Sequence, residues 1–310
     1  MPEHTSARPA PPATSAAPVA PVAPATRYPI RPDERSGMLH PRNVERFAAA
    51  WIDPHPSVAA VVDRYWHVTW NLPEGEHIDQ RIIDHPAVTL TIEAGDVPAP
   101  LLVTGVQRGA WRRRITGSGS VFAIRLRPAG LEVVSDLAVR SVADAATPVI
   151  PTLDARVHRL LATVEPEADA AARAAAADDA IATLLVERPL DAEQELANAV
   201  LVELAERVHE RTGTTLGAGL GASDRAVQRA LARTVGHGPK WVTRRVRLQE
   251  VARVLSTDAS VQIADLAARL GYADQAHLGN DFRGVVGLTP GAYQRSVRTA
   301  MAGVGGSSSS

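Results

Sequence analysis

The carboxy-terminal third of the chain repeats itself. LGASDRAVQRALARTVGHGPKWV (220–242) aligns with LGYADQAHLGNDFRGVVGLTPGAY (270–293). Leu220, Gly221 and Asp224 recur as Leu270, Gly271 and Asp274 at an offset of 50 residues, and Gly236 and Pro239 recur as Gly287 and Pro290 at an offset of 51. Each copy reads as a short apolar helix that ends at glycine, a tight turn, a capped second helix and a stop before Gly-x-x-Pro, which is the grammar of a helix-turn-helix. The glycines allow the sharp reversal, and Ser223 or Asp274 can accept hydrogen bonds from the free amides of the new helix. In the second copy Ile263, Leu266, Ala267 and Leu270 fall on one face at helical spacing, matched by Leu278, Phe282 and Val286 on the next helix. PKWVTRRVRLQEVARVLS (239–256) joins the copies as a long helix, with Pro239 suited to its first turn. Its length of about 17 residues spans roughly 25 Å, so two recognition helices could enter successive major grooves once the thickness of the flanking units is added, helped by bending of the DNA.

Charge divides along the chain in the same sense. The formal net charge is −1, yet residues 221–300 carry 12 Lys and Arg against 6 Asp and Glu, leaving 21 against 28 for the rest. A basic segment attached to an acidic remainder suits a phosphate backbone, because attraction follows local charge. The absence of cysteine excludes disulfides, thiolate zinc sites, iron–sulfur clusters and cysteine nucleophiles. No run reaches the ~18–20 apolar residues of a membrane span, and the amino end lacks the pattern of a secretion signal. A cytoplasmic protein is the expectation.

Five segments divide the sequence. Residues 1–27 are a Pro/Ala-rich arm without periodicity, expected to be disordered. Residues 28–150 hold the β-rich runs RYWHVTW (64–70), AVTLTIEAG (87–95), PLLVTGVQ (100–107), AWRRRIT (110–116) and SVFAIRLRP (120–128), punctuated by turn formers. Residues 151–194 turn to Ala/Leu/Glu-rich helical spacing as a connector. The helix-turn-helix pair occupies 195–298, and a Gly/Ser tail covers 299–310. The fold class is α+β, with a strand-rich, barrel-like domain ahead of an all-α domain of two helix-turn-helix units joined by a long helix.

ADLAARLGYADQAHLGNDFRGVVGLTPGAYQR (264–295), supported by RAVQRALARTVGHGPKWVTRRVRLQEVARVL (225–255), resembles the AraC/XylS family of transcription regulators over residues 195–298, about a third of the chain. The resemblance implies sequence-specific binding to double-stranded DNA, a sensor domain ahead of the DNA-binding module, and contact with RNA polymerase where the protein activates. It leaves room for a homodimer and a small-molecule effector. Residues 28–150 more loosely resemble the cupin-like sensors of such regulators. TTLGAGLG (214–221) departs from the family, with glycines where an apolar helix is usual. Each costs roughly 0.5–1 kcal/mol relative to Ala, so a short or loosely held helix is expected there.

On the first recognition helix Ala226, Val227, Ala230 and Leu231 suit the core, which leaves Arg225, Gln228 and Arg229 as base readers: Arg for the O6/N7 edge of guanine, Gln for the N6/N7 edge of adenine. On the second, the candidates are Gln275, His277, Asn280 and Arg283, with Asn280 suited to adenine and Arg283 to phosphate. His277 is either a reader or a packing side chain. Gly279 and Ala276 offer little hydrogen-bonding chemistry, so this unit is expected to position more than to read. Lys240, the only lysine, is assigned to phosphate; Arg244, Arg245 and Arg247 either join it or solvate the connecting helix. Trp66, Trp70, Trp111 and Arg125 either line an effector pocket or form strand core. His55, His67, His77 and His85 lack a tight ligand spacing, Asp63, Asp84 and Glu93 form no interpretable acid–base pair, and no nucleophile or phosphate-loop motif is present. No cofactor, metal or catalytic activity is therefore expected. The competing classes are a cupin-like metal-dependent enzyme fused to DNA-binding helices and an architectural DNA binder without a ligand.

Overall fold

Alternation of apolar and polar side chains builds the first half of the protein into strands. The computed structural model describes residues 37–165, 168–208, 216–258 and 260–302; the arm at 1–27 and the tail beyond 302 lie outside the described residues. The strands are β1 (Ala48–Ile52), β2 (Val62–Asn71), β3 (His77–Ile82), β4 (Thr89–Gly95), β5 (Leu101–Thr104), β6 (Trp111–Thr116), β7 (Ser118–Leu126) and β8 (Ala146–Pro148). Six form one antiparallel sheet in the order β1-β2-β7-β4-β5-β8, and β3 and β6 pair as a separate ribbon. The five β-rich runs of the sequence correspond to β2, β4, β5, β6 and β7.

The two faces of the large sheet have different fates. Tyr65, Phe122, Leu90, Ile124 and Val103 are buried together on one face, where α2 (Ala155–Ala162) and α3 (Ala170–Glu187) cover them. The opposite face carries Trp66, opposite Trp51 and Ala123, and Glu93, opposite Val121, as register requires of directly paired residues. The ribbon lies over this second face: Arg113 of β6 bonds Glu93 of β4, and Trp70 Nε1 donates to the Thr116 carbonyl at 3.0 Å.

The second half is helical: α4 (Ala192–Glu206), α5 (Leu216–Gly219), α6 (Asp224–Thr234), α7 (Pro239–Thr257), α8 (Ile263–Arg269), α9 (Gln275–Val286) and α10 (Pro290–Ala302). The short α1 (Gly130–Val134) follows β7. Both expected caps form, Ser223 accepting from the Ala226 amide at 3.2 Å and Asp274 from the His277 amide at 2.7 Å. Gly221 and Gly271, and Gly236 and Gly287, sit at matched turns with φ between 64° and 80°, the left-handed region that favours glycine. The repeat is thus a repeat of backbone conformation.

The glycine-rich departure at α5 has a steric cause. A Cβ on Gly217 would stand 2.1 Å from the Ala222 carbonyl oxygen, and the Ala222 amide closes back onto the Gly217 carbonyl at 2.8 Å. The four-residue helix is short because the turn closes directly over it.

The apolar interior ignores the boundary between the halves. One continuous core runs from Tyr65 and Phe122 through Leu160, Ile181 and Val200 to Val227, Leu231 and Val242 of the first helix-turn-helix. A second core unites Leu248, Leu266, Leu270, Leu278 and Phe282 of the second unit with Leu39 and Ile83 of the strand-rich half.

Candidate nucleic-acid interface

α6 buries Val227, Ala230 and Leu231, and this alone turns Arg225, Gln228 and Arg229 outward; all three are exposed. Their surroundings differ. Gln228 lies in the notch between α6 and α7, where a Cβ on Gly238 would come within 2.9 Å of its amide nitrogen. A cleft of about 410 Å³ opens there, and Lys240 and Trp241 form its far wall. Lys240 is exposed at the start of α7, as is Arg225 at the start of α6. Arg229 is 61% exposed and its Nε donates to Glu193 of α4 at 3.1 Å.

One turn further on, Arg233 is fully committed. Its Nε and NH2 donate to the Glu132 carboxylate of α1 at 2.5–3.0 Å and its NH1 to Asp191 at 2.7 Å, with Glu193 at 3.4 Å. The Gln194 amide that Asp191 receives as the N-cap residue of a capping box holds its carboxyl below the ordinary range, and the hydrogen bond from Arg233 adds to it. Inspection of the recognition helix alone missed Glu132, Asp191, Glu193 and Arg233. The capping-box pattern at 191–194 and the four-residue spacing of Arg229 and Arg233 are the signals that were available.

On α9, Gln275, His277, Asn280 and Arg283 are exposed around the buried Leu278 and Phe282. His277 packs, its ring meeting the edge of Tyr272 at 5.1 Å between centroids, and yet remains exposed. The arginines of α7 turn inward or sideways. Arg244 pairs with Asp281 at 3.1 Å, Arg247 lies over the Tyr272 ring at 5.9 Å, and Arg245 is 2% exposed.

Arg245 is the centre of a junction between the halves. It bonds the Asp84 carboxylate and donates to the carbonyls of Asp84 and Gly109 at 3.0 Å each. Burial pushes the Asp84 carboxyl up to about 7, against the pull of Arg245. Around it Gln249 donates to the Ile83 carbonyl at 3.0 Å and Tyr293 to that of Met38 at 3.2 Å, while Arg81 of β3 donates to the Val286 carbonyl at the end of α9. A cation at a helix carboxyl end is favourable.

The effector candidates share the space between sheet and ribbon without converging on one point. Trp66 packs on Trp51 at 5.6 Å beneath the Arg125 guanidinium at 5.7 Å, and Arg125 pairs with Asp63 at 2.6 Å. Burial raises the Asp63 carboxyl, but Arg125 outweighs it and leaves it below its ordinary value. Trp70 is buried with Leu72 and Ile78, and Trp111 sits half-buried opposite Ile82 on the ribbon. Of the four histidines, His55 bonds Ser57, His77 approaches Asp79, His67 sits near Arg173, and His85 is held neutral, its pKa lowered to about 4 by burial and then by Arg125.

Two recognition helices, each capped, each showing a polar face and joined through one long helix, define a DNA-binding helix-turn-helix protein. Residues 216–296 match the family model of a helix-turn-helix domain, and residues 51–148 match a domain of unknown function, DUF6597. The family match and the geometry agree that the carboxy-terminal helices are a helix-turn-helix domain. Comparison with curated proteins finds no significant match. Among solved structures, ToxT from Vibrio cholerae is similar at 8% identity and a TM-score of 0.39, covering 81% of this chain and 98% of that one. ToxT from Vibrio cholerae O395 is similar at 7% and 0.38, covering 75% and 98%. Both likenesses are too distant to carry a functional argument. No described helix is long and apolar enough to cross a membrane.

Proposed function

We propose that the protein binds a specific double-stranded DNA site, with Arg225, Gln228 and Arg229 of α6 reading bases and α9 setting register through Gln275, His277, Asn280 and Arg283. Lys240 and Arg283 hold phosphate. The observation that carries this reading is the pair of exposed polar faces on helices whose opposite faces are buried, both packed against α7. Major-groove discrimination needs forked hydrogen-bonding groups such as those of Arg and Gln held at fixed height, and a packed helix supplies them. The strand-rich half controls this activity by binding a small molecule or a second copy of the chain. The junction at Arg245 and the contact of Arg81 with α9 support that reading, because a change in the strands reaches both units. DNA as the partner implies a cytoplasmic site of action, and RNA polymerase is a further partner wherever the operator position makes the protein an activator.

Selection of bound sequences from a random DNA pool by the full chain tests specificity. With the selected operator, Arg229→Ala is expected to relax preference at one base pair, and Arg283→Ala to weaken all sites and lower the salt slope by about one. Unchanged binding by both variants would overturn the orientation, and an unenriched pool would favour an architectural binder.

A further inference from the structure

The bond between Arg229 and Glu193 uses only one of the three nitrogens of the guanidinium. Nε donates to Glu193 at 3.1 Å, and neither NH1 nor NH2 is given a partner among the described residues. The side chain is therefore tethered at its inner edge and open at its outer one. Two parallel N–H donors on a fixed outer edge are what the O6/N7 edge of guanine accepts. An untethered arginine would have to surrender its rotamer freedom on binding, whereas this one has surrendered it beforehand.

Glu193 is itself fixed from two directions. It stands in the first turn of α4, where the helix dipole favours a carboxylate, two residues after the Asp191 cap. Its second oxygen lies 3.4 Å from Arg233, which Glu132 and Asp191 hold independently. Arg233 thus anchors α6 without any help from Glu193. By contrast Arg225 has no comparable carboxylate among the described residues, so the two outward arginines of α6 are unequal.

We propose that Glu193 is a positioning residue for base recognition: it holds Arg229 so that its outer edge meets guanine, and thereby sets the guanine preference at one operator position. The proposal rests on the reading of Arg229 as a base reader. It carries an electrostatic signature. A carboxylate beside the recognition helix repels DNA phosphate, so Glu193 lowers affinity for DNA in general while raising discrimination at one base.

The experiment uses the full chain and an operator obtained by selection, with all four base pairs substituted at each position. Arg229→Ala identifies the position that depends on Arg229. At that position Glu193→Ala is expected to reduce the ratio of guanine to other bases by about threefold to tenfold, the range that corresponds to immobilising one side chain. Affinity for random-sequence DNA should rise in the same variant. Glu193→Gln, which keeps an oxygen for Nε, should retain most of the guanine preference, and Glu193→Ala should add nothing at that position in an Arg229→Ala background. Thermal unfolding of each variant confirms an intact fold. A guanine ratio that changes less than twofold in Glu193→Ala, or uniform weakening at every position, would overturn the proposal while leaving Arg229 as a reader. If Arg229→Ala itself changes no base preference, the underlying reading fails and the proposal with it.

Discussion

Replacing Arg245 by alanine should be costly, and its cost can be worked from the contacts of one side chain. Arg245 is 2% exposed and joins α7 to the loops on either side of the β3–β6 ribbon through the Asp84 carboxylate and the carbonyls of Asp84 and Gly109. Its guanidinium also lies 5.9 Å from the Trp241 ring. Removing one partner of a buried ion pair costs about 3–5 kcal/mol, because the other is left buried and uncompensated. Asp84 keeps 22% of its side chain exposed, so some water reaches it, and about 4 kcal/mol is a fair central value. At about 2.1 cal/mol/K of unfolding entropy per residue, a chain of 310 residues loses about 6 °C of Tm for that deficit. Circular dichroism of the full chain on heating measures it. The deficit should be larger at pH 8 than at pH 6, since Asp84, already raised to about 7 by burial, can take up a proton at the lower pH once Arg245 is gone. Adding Asp84→Asn to Arg245→Ala should recover about 2 kcal/mol by removing the stranded charge. A loss below about 1 kcal/mol, with no recovery in the double variant, would show that this junction contributes no more than a surface pair and would refute the reasoning.

Gly217→Ala should disrupt the first unit, because its Cβ would stand 2.1 Å from the Ala222 carbonyl. The expected signs are lower DNA affinity and a loss of about 2 kcal/mol in urea unfolding, whereas an unchanged variant would mean the turn opens freely. His85 is neutral in the fold with a pKa near 4 and ordinary at 6.5 once unfolded, so the unfolded chain binds the extra proton between those values. The stability that neutral His85 confers is present above pH 6.5 and is lost as pH falls toward 4, by on the order of 3 kcal/mol. His85→Gln should flatten the fall in Tm over that window, and parallel profiles for variant and parent would contradict the assignment.

The helix-turn-helix pair was legible because its determinants are local. Ser223 and Asp274 cap within three residues, and the apolar spacing that predicted Leu266, Leu278 and Phe282 as core acts within a single helix or between neighbours. Strands with clean alternation were legible for the same reason. β1, mostly alanine, and β3, with four polar residues among six, carry little signal of their own and exist because β2 and β6 pair with them. The site was only half legible. Which residues of α6 face outward follows from periodicity, but what holds them does not: Arg229 meets Glu193 across 36 residues, Arg233 meets Glu132 across 101 and Arg245 meets Asp84 across 161. Trp66 and Trp70 share a face by strand spacing, while Trp111 belongs to a separate ribbon, and no local pattern reveals that separation.

The two recognition helices are braced from different directions, α6 by α1 and α4 and α9 by the ribbon. DNA presents its successive grooves at a fixed pitch of about 34 Å, and α7, with 19 residues, offers a strut of about 28 Å. The remainder must come from how α6 and α9 are set against α7, and the two are held by different parts of the protein. On the proposed function, a shift of the ribbon relative to α1 and α4 would act as a vernier on the distance and phase between the helices, and would change which operator lengths fit without altering a single base contact.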